Sequence, residues 1–242
     1  MSSLDIKIIK KIFPIKTGTK QKEVLIFKDL NFSVTPGEFV CIFGPSGCGK
    51  TTLLNLISGI DTSFNGSLNI SKNKELSYMF QSPRLFPWLT ALENVKFPIK
   101  KKPNSEQTAK SLIKSVELEK FQNSYPGKLS GGMQRRVAMA RAFSTNPKIL
   151  LLDEPFISLD KNTAENLRKL LLKLWKKSKI TIIFVTHDLN EAISLSDRII
   201  FLSKLPSKII LDYKIKLSRP REIDSKKVQS LRTLLSSSVR NK

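Results

Sequence analysis

The stretch FVCIFGPSGCGKTT, at residues 39–52, constrains the fold more than any other part of the sequence. Its apolar start indicates a buried strand, which enters a glycine-containing loop and then a helix with periodic apolar residues. Glycines let backbone N–H groups approach phosphate oxygens closely, and the helix presents the positive end of its dipole. The pattern G-x-x-x-x-G-K-T therefore predicts a P-loop that binds nucleotide phosphates. A chance glycine turn before a helix is the alternative interpretation, which these flanking elements disfavour.

The predicted loop assigns a role to each of its residues. The residues expected to contact nucleotide are Gly44, Pro45, Ser46, Gly47, Cys48, Gly49, Lys50, Thr51 and Thr52. Lys50 is predicted to neutralise the β- and γ-phosphates, and the Thr51 hydroxyl to bind Mg²⁺. The two cysteines of the chain, Cys41 and Cys48, lie in this strand and loop, where a disulfide would obstruct the nucleotide. We therefore expect a reducing compartment.

Length and charge limit the remaining possibilities. A chain of 242 residues can bury a substantial core as one domain. No apolar run is long enough to cross a bilayer, and the charged N-terminal segment lacks a signal-peptide core, so we expect neither a membrane span nor secretion. The net charge of +22 invites nucleic-acid or anionic-membrane binding. The basic residues are scattered rather than interleaved with aromatic residues, which favours a solvated basic surface with no specific nucleic-acid partner.

Alternating strands and helices predict the order of the fold. Segments 6–13 and 24–34 have the pattern of antiparallel strands joined by a polar turn at 16–22. The other predicted strands are 39–43, 67–70, 76–80, 149–152, 180–185 and 198–202. The predicted helices are 50–58, 105–117, 132–143, 164–177, 189–194 and 224–235. This alternation is typical of a parallel sheet with covering helices.

The domain organisation follows from breaks in this pattern. Prolines interrupt it after residue 82, and residues 82–146 are predicted to form a helical subdomain inserted into a single domain of residues 1–242. Either Asn104 or Ser105 is expected to cap the helix that begins there. The C-terminal tail is taken as about 205–242, and we expect its last seven residues to be disordered.

Four further motifs follow the P-loop in a fixed order. They are Gln81 after an apolar strand, LSGGMQ at 129–134, ILLLDE at 149–154, and His187 after ITIIFVT. Together with the P-loop they resemble the ATP-binding-cassette (ABC) ATPase family over nearly the whole chain. The resemblance implies an α/β P-loop NTPase fold with a RecA-like parallel-sheet core, an N-terminal antiparallel β subdomain and an inserted helical subdomain. It also implies ATP and Mg²⁺ as cofactors.

Polar residues at the predicted strand ends are the catalytic candidates. The strand before Asp153 would deliver this carboxylate to Mg²⁺, and Glu154 could then reach a water in line with the γ-phosphate. A helix N-cap is the alternative interpretation of this pair. The Gln81 amide can serve both Mg²⁺ and the attacking water. His187, the one histidine of the chain, matches the family's switch histidine, which contacts the γ-phosphate.

The LSGGMQ motif predicts a second site for anionic oxygens. Ser130, Gly131 and Gly132 form a backbone cradle at a helix start, which is redundant within one chain. In the ABC family this cradle faces the P-loop of a second ATPase subunit, so the resemblance implies a head-to-tail homodimer that holds two ATP molecules, with residues 158–160 crossing the interface. The family also places an aromatic residue on adenine at the position of Phe13; a core residue of the strand is the open alternative.

The segment QSPRLFPWLTALENV, at residues 81–95, predicts a docking surface. A proline-broken loop cannot bury its four large apolar residues, which are Leu85, Phe86, Trp88 and Leu89. The segment is similar to importer ATPases of the nitrate/sulfonate/taurine class, although Ile157 and Ser158 depart from that class. The resemblance implies a subunit at the cytoplasmic face of a membrane, docked to transmembrane permease subunits. A periplasmic or extracellular solute-binding protein would supply these with an oxyanion or organic anion.

A second function class remains open at this point. A soluble ABC ATPase acting on nucleic acid or ribosomes would suit the charge of +22. Ribosome-associated members generally fuse two cassettes, and repair members interrupt the cassette with a long coiled coil; this sequence has neither. A non-hydrolysing scaffold is disfavoured because Glu154 and His187 are both present.

Overall fold

The computed structural model describes residues 4–17, 20–70 and 76–240. Nine strands lie within these residues: β1 (Leu4–Thr17), β2 (Lys20–Val34), β3 (Phe39–Phe43), β4 (Asn65–Ile70), β5 (Leu76–Met79), β6 (Ile149–Asp153), β7 (Thr181–Thr186), β8 (Arg198–Leu202) and β9 (Ile209–Lys214). The α-helices of the same residues are α1 (Lys50–Ser58), α2 (Ala91–Lys96), α3 (Ser105–Ser115), α4 (Gly131–Ser144), α5 (Lys161–Ser178), α6 (Leu189–Leu195) and α7 (Lys226–Arg240). The chain divides into two compact units. The first comprises Met1–Asn73 and Thr181–Lys242, and the second Lys74–Ile180.

The first unit contains two kinds of sheet. Strand β1 pairs antiparallel with β2 on one side and with β4 on the other. Strand β3 pairs in parallel with both β7 and β8, and β9 adds an antiparallel edge next to β8. The residues of β7 are all buried, as expected for a parallel strand covered on both faces. These pairings bring the ends of β3 and β7 to the same edge.

The second unit combines a parallel strand pair with a group of helices. Strands β5 and β6 pair in parallel, with Met79 opposite Leu152. Helices α2, α3 and α4 contact one another, and α4 also contacts β5 and α5. All five residues of β6 are buried. The helices expected within 82–146 therefore lie in this unit, while their separation as a subdomain stays a prediction.

Most predicted elements are confirmed. Helix α1 and strand β8 have the predicted bounds, 50–58 and 198–202. The antiparallel pairing of the first two strands is confirmed too, although each strand is longer than predicted. Residues 18 and 19 of the expected turn lie outside the described residues. Within the described residues, no helix is both long enough and apolar enough to cross a bilayer.

The prediction for the end of the chain was wrong. Residues 236–240 belong to helix α7 instead of a disordered tail, and residues 241 and 242 lie outside the described residues. The side chains of Leu235 and Val239 line a cavity of about 530 Å³ together with Phe43, Leu189 and Phe201. Helix α7 packs against α6, and Leu235 is buried, so contacts with residues distant in the sequence stabilise these last helical turns.

Two short elements and one cap also differ from expectation. Strand β9 was not predicted, because its extended conformation depends on pairing with β8. Helix α2 was missed, although Thr90 and Glu93 form a capping box at its start, each side chain accepting a hydrogen bond from the other residue's backbone N–H. The cap prediction for α3 is confirmed in position only: Asn104 is the N-cap residue, but it has a left-handed φ of 58° and its side chain makes no cap hydrogen bond.

Candidate functional site

The P-loop of the first unit turns sharply into α1 at Gly49. The φ of Gly49 is 95°, in the left-handed region, and a Cβ there would lie 2.7 Å from Cγ2 of Ile26 and 3.0 Å from Cζ of Phe27. Only glycine satisfies both the conformation and the close packing. Gly47 also has a positive φ, of 78°, but a Cβ there would meet nothing within 4 Å. The backbone at Gly47 is therefore open to a ligand.

Lys50 folds back over the start of this loop. Its side chain is only 5% exposed, and Nζ donates hydrogen bonds to the carbonyls of Gly44, at 3.0 Å, and Pro45, at 3.1 Å. Helix α1 has no acidic residue in its first turn and no side-chain cap at Gly49. The ammonium group and the amide donors of the first turn together favour an anionic ligand at this helix start.

Ser207 supports the loop from a distant part of the chain. Its side chain is fully buried, and Oγ donates a 2.5 Å hydrogen bond to the carbonyl of Cys48. The backbone N–H of Ser207 donates to the carbonyl of Ile26 at 2.7 Å, which ties the same residue to β2. Ser207 lies in the segment that the sequence analysis assigned to the C-terminal tail, and its role was missed. A contact between residues 159 positions apart leaves no local pattern in the sequence. Cys41 and Cys48 are both buried, and they form no disulfide with each other.

His187 follows β7 at the edge where the P-loop begins. Phe43 and Thr186 are register partners, so Gly44 and His187 are the next residues along two neighbouring strands. The Thr186 hydroxyl donates to the Glu191 carboxylate at 2.6 Å and accepts from the N–H of Asp188 at 3.0 Å. These bonds fix the turn that presents the exposed His187 side chain.

Phe13 lies beside a buried lysine. The Nζ of Lys11 is 4.5 Å from the centroid of the Phe13 ring, and it contacts the Asp61 carboxylate and the carbonyl of Ser63, both at 2.6 Å. Lys11 is 2% exposed, whereas Phe13 is 37% exposed. Burial acts to raise the pKa of Asp61, but hydrogen bonds from Lys11 and Ser63 outweigh it and lower that pKa. The exposed ring disfavours the alternative of a core residue, and stacking on adenine stays a prediction.

Asp153 and Glu154 end the buried strand β6 of the second unit. Asp153 is 3% exposed, and the Tyr78 hydroxyl donates to its Oδ2 at 3.3 Å. Glu154 has a φ of 41°, a left-handed conformation that costs a non-glycine residue about 1 kcal/mol or more. The N-cap alternative for this pair is wrong, because the next helix, α5, is capped by Asp160. Strained residues of this kind cluster at functional sites.

Arg135 connects the two strand-end loops of the second unit. Its guanidinium donates to three carbonyls, those of Gln81 at 3.0 Å, Pro155 at 3.1 Å and Ile157 at 2.7 Å. Burial lowers the pKa of this arginine. The register of β5 and β6 places Gln81 and Glu154 two residues beyond a paired position, so both leave the same edge. Arg135 was missed because its partners are distant in sequence.

The predicted phosphate cradle at LSGGMQ is the N-terminus of α4. The Ser130 hydroxyl caps this helix by accepting from the N–H of Met133 at 3.3 Å. A Cβ at Gly131 would meet nothing within 4 Å, whereas one at Gly132 would lie 2.6 Å from Cγ2 of Thr163. Gly131 thus leaves space for a ligand, and Gly132 permits close packing against α5.

The predicted docking segment is more ordered and more buried than expected. Trp88 is 69% exposed, but the three other residues of the set, Leu85, Phe86 and Leu89, are half-buried, so their predicted exposure was wrong. The fully buried Asn94 holds the loop, since its amide bonds the backbone at Phe86 and donates to the carbonyls of Leu89 and Thr90. The Phe86 ring packs on Phe97, with centroids 4.6 Å apart. The segment therefore presents one aromatic side chain on a fixed loop.

The chain thus has the features of a P-loop ATPase: a P-loop, a second glycine-rich helix start, and a carboxylate pair after a buried strand. The family model described as "ABC transporter" matches residues 27–157, which is more than half of the chain. The chain belongs to the ABC transporter family. It is an ATPase of that family, as the sequence predicted.

Similar proteins support this assignment along the whole chain. The aliphatic sulfonates import ATP-binding protein SsuB of Bacillus anthracis is 42% identical over 238 residues, or 96% of this chain and 93% of that protein. The SsuB protein of Bacillus subtilis (strain 168) is 39% identical over 95% of this chain and 91% of its own length. Among solved structures, the dimeric post-hydrolysis state of the ATP-binding cassette MJ0796 bound to ADP and Pi has a TM-score of 0.77 and 35% identity, covering 89% of this chain and 100% of that one. The predicted fold class is confirmed.

Replacing Ser207 should loosen the P-loop. Ser207→Ala removes the buried donor to the Cys48 carbonyl, so we expect ATP affinity to fall about tenfold, the effect of losing one to two kcal/mol of hydrogen bonding. Isothermal titration calorimetry measures this change. Ser237→Ala is the matched control, because this exposed serine bonds only within α7. Equal affinities for the two variants would contradict the support that we assign to Ser207.

Proposed function

We propose that this chain hydrolyses ATP to drive import of a sulfonate-type organic anion through separate transmembrane subunits. The observation that carries the proposal is the strand-end pair Asp153 and Glu154, one carboxylate buried and the next in a strained conformation. It stands in a chain that is similar over 96% of its length to an aliphatic sulfonates import ATP-binding protein. The carboxylate pair is the basis for the proposed ATP hydrolysis, and the similar proteins are the basis for the proposed class of transported solute.

The P-loop holds the phosphates in this proposal. Lys50 already lies against the loop carbonyls, from which it can turn to the β- and γ-phosphate oxygens. Oxygen donors suit Mg²⁺, and we assign them to Thr51, Gln81 and Asp153. When bound, Mg²⁺ neutralises charge on the phosphates. The other P-loop residues bind through their backbone N–H groups, and Phe13 stacks on adenine.

Glu154 orients the attacking water and accepts its proton. Its left-handed φ ends the extended backbone of β6, and Arg135 fixes the loop through the neighbouring carbonyl of Pro155. The Gln81 amide helps to hold the same water, and His187 donates to the γ-phosphate. Each group comes from a strand end, where rigid backbone limits its motion.

Two chains form the active ATPase in this proposal. Ser130, Gly131 and Gly132 bind the nucleotide of a second subunit in a head-to-tail homodimer, which the open space at Gly131 supports. The MJ0796 cassette, which is similar to this chain, is dimeric in its solved structures, and this supports an assembly of two chains. Residues 158–160 cross this interface while the Asp160 carboxylate caps α5.

The membrane-facing surface is the segment around Trp88. It docks to a permease at the cytoplasmic face of the membrane, and a periplasmic or extracellular solute-binding protein delivers the anion. The half-buried neighbours Leu85, Phe86 and Leu89 contribute the surrounding apolar surface. Similarity to import proteins disfavours the alternative of a nucleic-acid or ribosome ATPase, so the charge of +22 is assigned to a solvated surface.

Removing the charge of Glu154 should separate ATP binding from hydrolysis. Glu154→Gln keeps the size of the side chain but not its basicity, so we expect hydrolysis to fall by about 10²–10⁴-fold, while ATP binding persists. Because ATP then remains between two chains, the variant should elute as a dimer in size-exclusion chromatography with MgATP. Lys50→Ala is the control that should lose nucleotide and elute as a monomer. Hydrolysis by Glu154→Gln at the parental rate would mean that another group activates the water.

Truncating Trp88 should weaken permease binding without affecting ATP. Trp88→Ala removes the one large hydrophobic side chain that is strongly exposed in the docking segment, so recovery of the permease in pull-down assays should fall at least about tenfold, as for an interface hot spot. Tyr125→Ala is the matched control, because Tyr125 is an exposed aromatic residue of the same unit outside this segment. Undiminished recovery with Trp88→Ala would contradict the docking assignment.

A further inference from the structure

A row of side chains in the second unit connects the docking segment to the metal-binding carboxylate. The Arg84 guanidinium carbon lies 3.9 Å from the centroid of the Phe80 ring. The Phe80 ring stacks on Tyr78, with centroids 4.2 Å apart and planes 19° apart. The Tyr78 hydroxyl then donates to Asp153 Oδ2 at 3.3 Å. Four side chains are thus in successive contact.

Strand geometry explains why Tyr78 reaches this carboxylate. Tyr78 pairs with Leu151 in the parallel register of β5 and β6. Side chains two residues apart in a strand share a face, so Leu151 and Asp153 lie on the same face, next to Tyr78. Ser77 points to the opposite face, where its hydroxyl bonds that of Thr145 at 2.7 Å. The pair Ser77 and Tyr78 therefore offers a buried or half-buried hydroxyl on each side of one strand.

Tyr78 is suited to hold a carboxylate in one orientation. The Tyr78 hydroxyl carries a proton that it can donate, and it points at Asp153 Oδ2 from a ring that lies on the same face of the sheet. The aromatic stack limits the motion of the ring. A donor fixed in this way restricts the carboxylate to one rotamer, which is how outer-shell partners orient metal ligands.

The other end of the row belongs to the segment that carries Trp88. Arg141 of α4 donates to the carbonyls of Pro83, at 2.7 Å, and Arg84, at 2.8 Å. These bonds fix the backbone from which the Arg84 side chain reaches back to Phe80. A displacement of the segment by a bound partner would therefore move the group that covers the aromatic stack.

We propose that Tyr78 is a positioning residue for Asp153, and that Phe80 and Arg84 link this positioning to the docking segment. The proposal rests on the assignment of Asp153 to Mg²⁺ in the proposed function. It adds a residue that contacts neither nucleotide nor metal and that acts by orienting the metal ligand. It also gives a physical route by which permease contact changes metal binding.

The test removes one hydroxyl from each face of β5. In the non-hydrolysing Glu154→Gln chain, Mn²⁺ binding to the ATP complex is measured by electron paramagnetic resonance for Tyr78→Phe and for the control Ser77→Ala. We expect the Mn²⁺ dissociation constant to rise about tenfold for Tyr78→Phe and to stay unchanged for Ser77→Ala. ATP affinity in EDTA should be the same for both variants. Thermal unfolding of both variants verifies that they fold.

Equal Mn²⁺ affinities for Tyr78→Phe and Ser77→Ala would overturn the positioning role.

The link to the docking segment is tested by adding Arg84→Ala to the chain with Tyr78 and to the chain with Tyr78→Phe. If the row acts as a unit, Arg84→Ala should weaken Mn²⁺ binding in the presence of Tyr78 and have no effect in Tyr78→Phe. Independent effects of the two changes would overturn the link. A failure of the proposed function gives a different result from a failure of the positioning role. If Asp153 does not bind the metal, Asp153→Asn would leave the Mn²⁺ affinity of the ATP complex unchanged.

Discussion

The P-loop of the first unit depends on the close packing of the backbone at Gly49. No side chain fits between this residue and the pair Ile26 and Phe27, so the chain can turn from β3 into α1 only through a glycine with a left-handed φ. This close approach fixes the start of α1, and thereby places Lys50 against the loop carbonyls. Ser207 completes the arrangement from outside the loop. The phosphate site that we propose thus depends on one backbone conformation, which close packing at Gly49 enforces.

The second unit uses strand register for the same purpose. Two parallel strands end side by side, and alternation along each of them decides which side chains share a face. Asp153, Glu154 and Gln81 leave this edge, while Arg135 joins the loops that follow through three backbone carbonyls. A catalytic carboxylate needs a fixed backbone, because the position of the carboxylate determines the orientation of the attacking water. The strained φ of Glu154 shows that this position is held against its own conformational preference.

Sequence reasoning succeeded where the determining contacts are local. The bounds of α1 follow from the lysine after the loop and from Gly59, and the strand before Asp153 follows from its apolar run. The contacts of Ser207, Arg135 and Tyr78 join residues far apart in the chain, so no pattern in the sequence indicates them. The extension of α7 has the same origin, because buried contacts with distant residues decide it. The order of the docking segment comes from the buried amide of Asn94 and from packing of Phe86 on Phe97, neither of which a periodic pattern predicts.

The central claim is that ATP hydrolysis by this chain drives import of a sulfonate-type anion. Its most direct test is uptake of a radiolabelled alkanesulfonate by proteoliposomes that contain the permease and this chain, with ATP on the side of the ATPase and binding protein on the other. We predict uptake that requires ATP, is accompanied by stimulated hydrolysis, and is abolished by Lys50→Ala. Hydrolysis that is indifferent to permease and solute but stimulated by RNA would contradict the account and favour a nucleic-acid or ribosome ATPase.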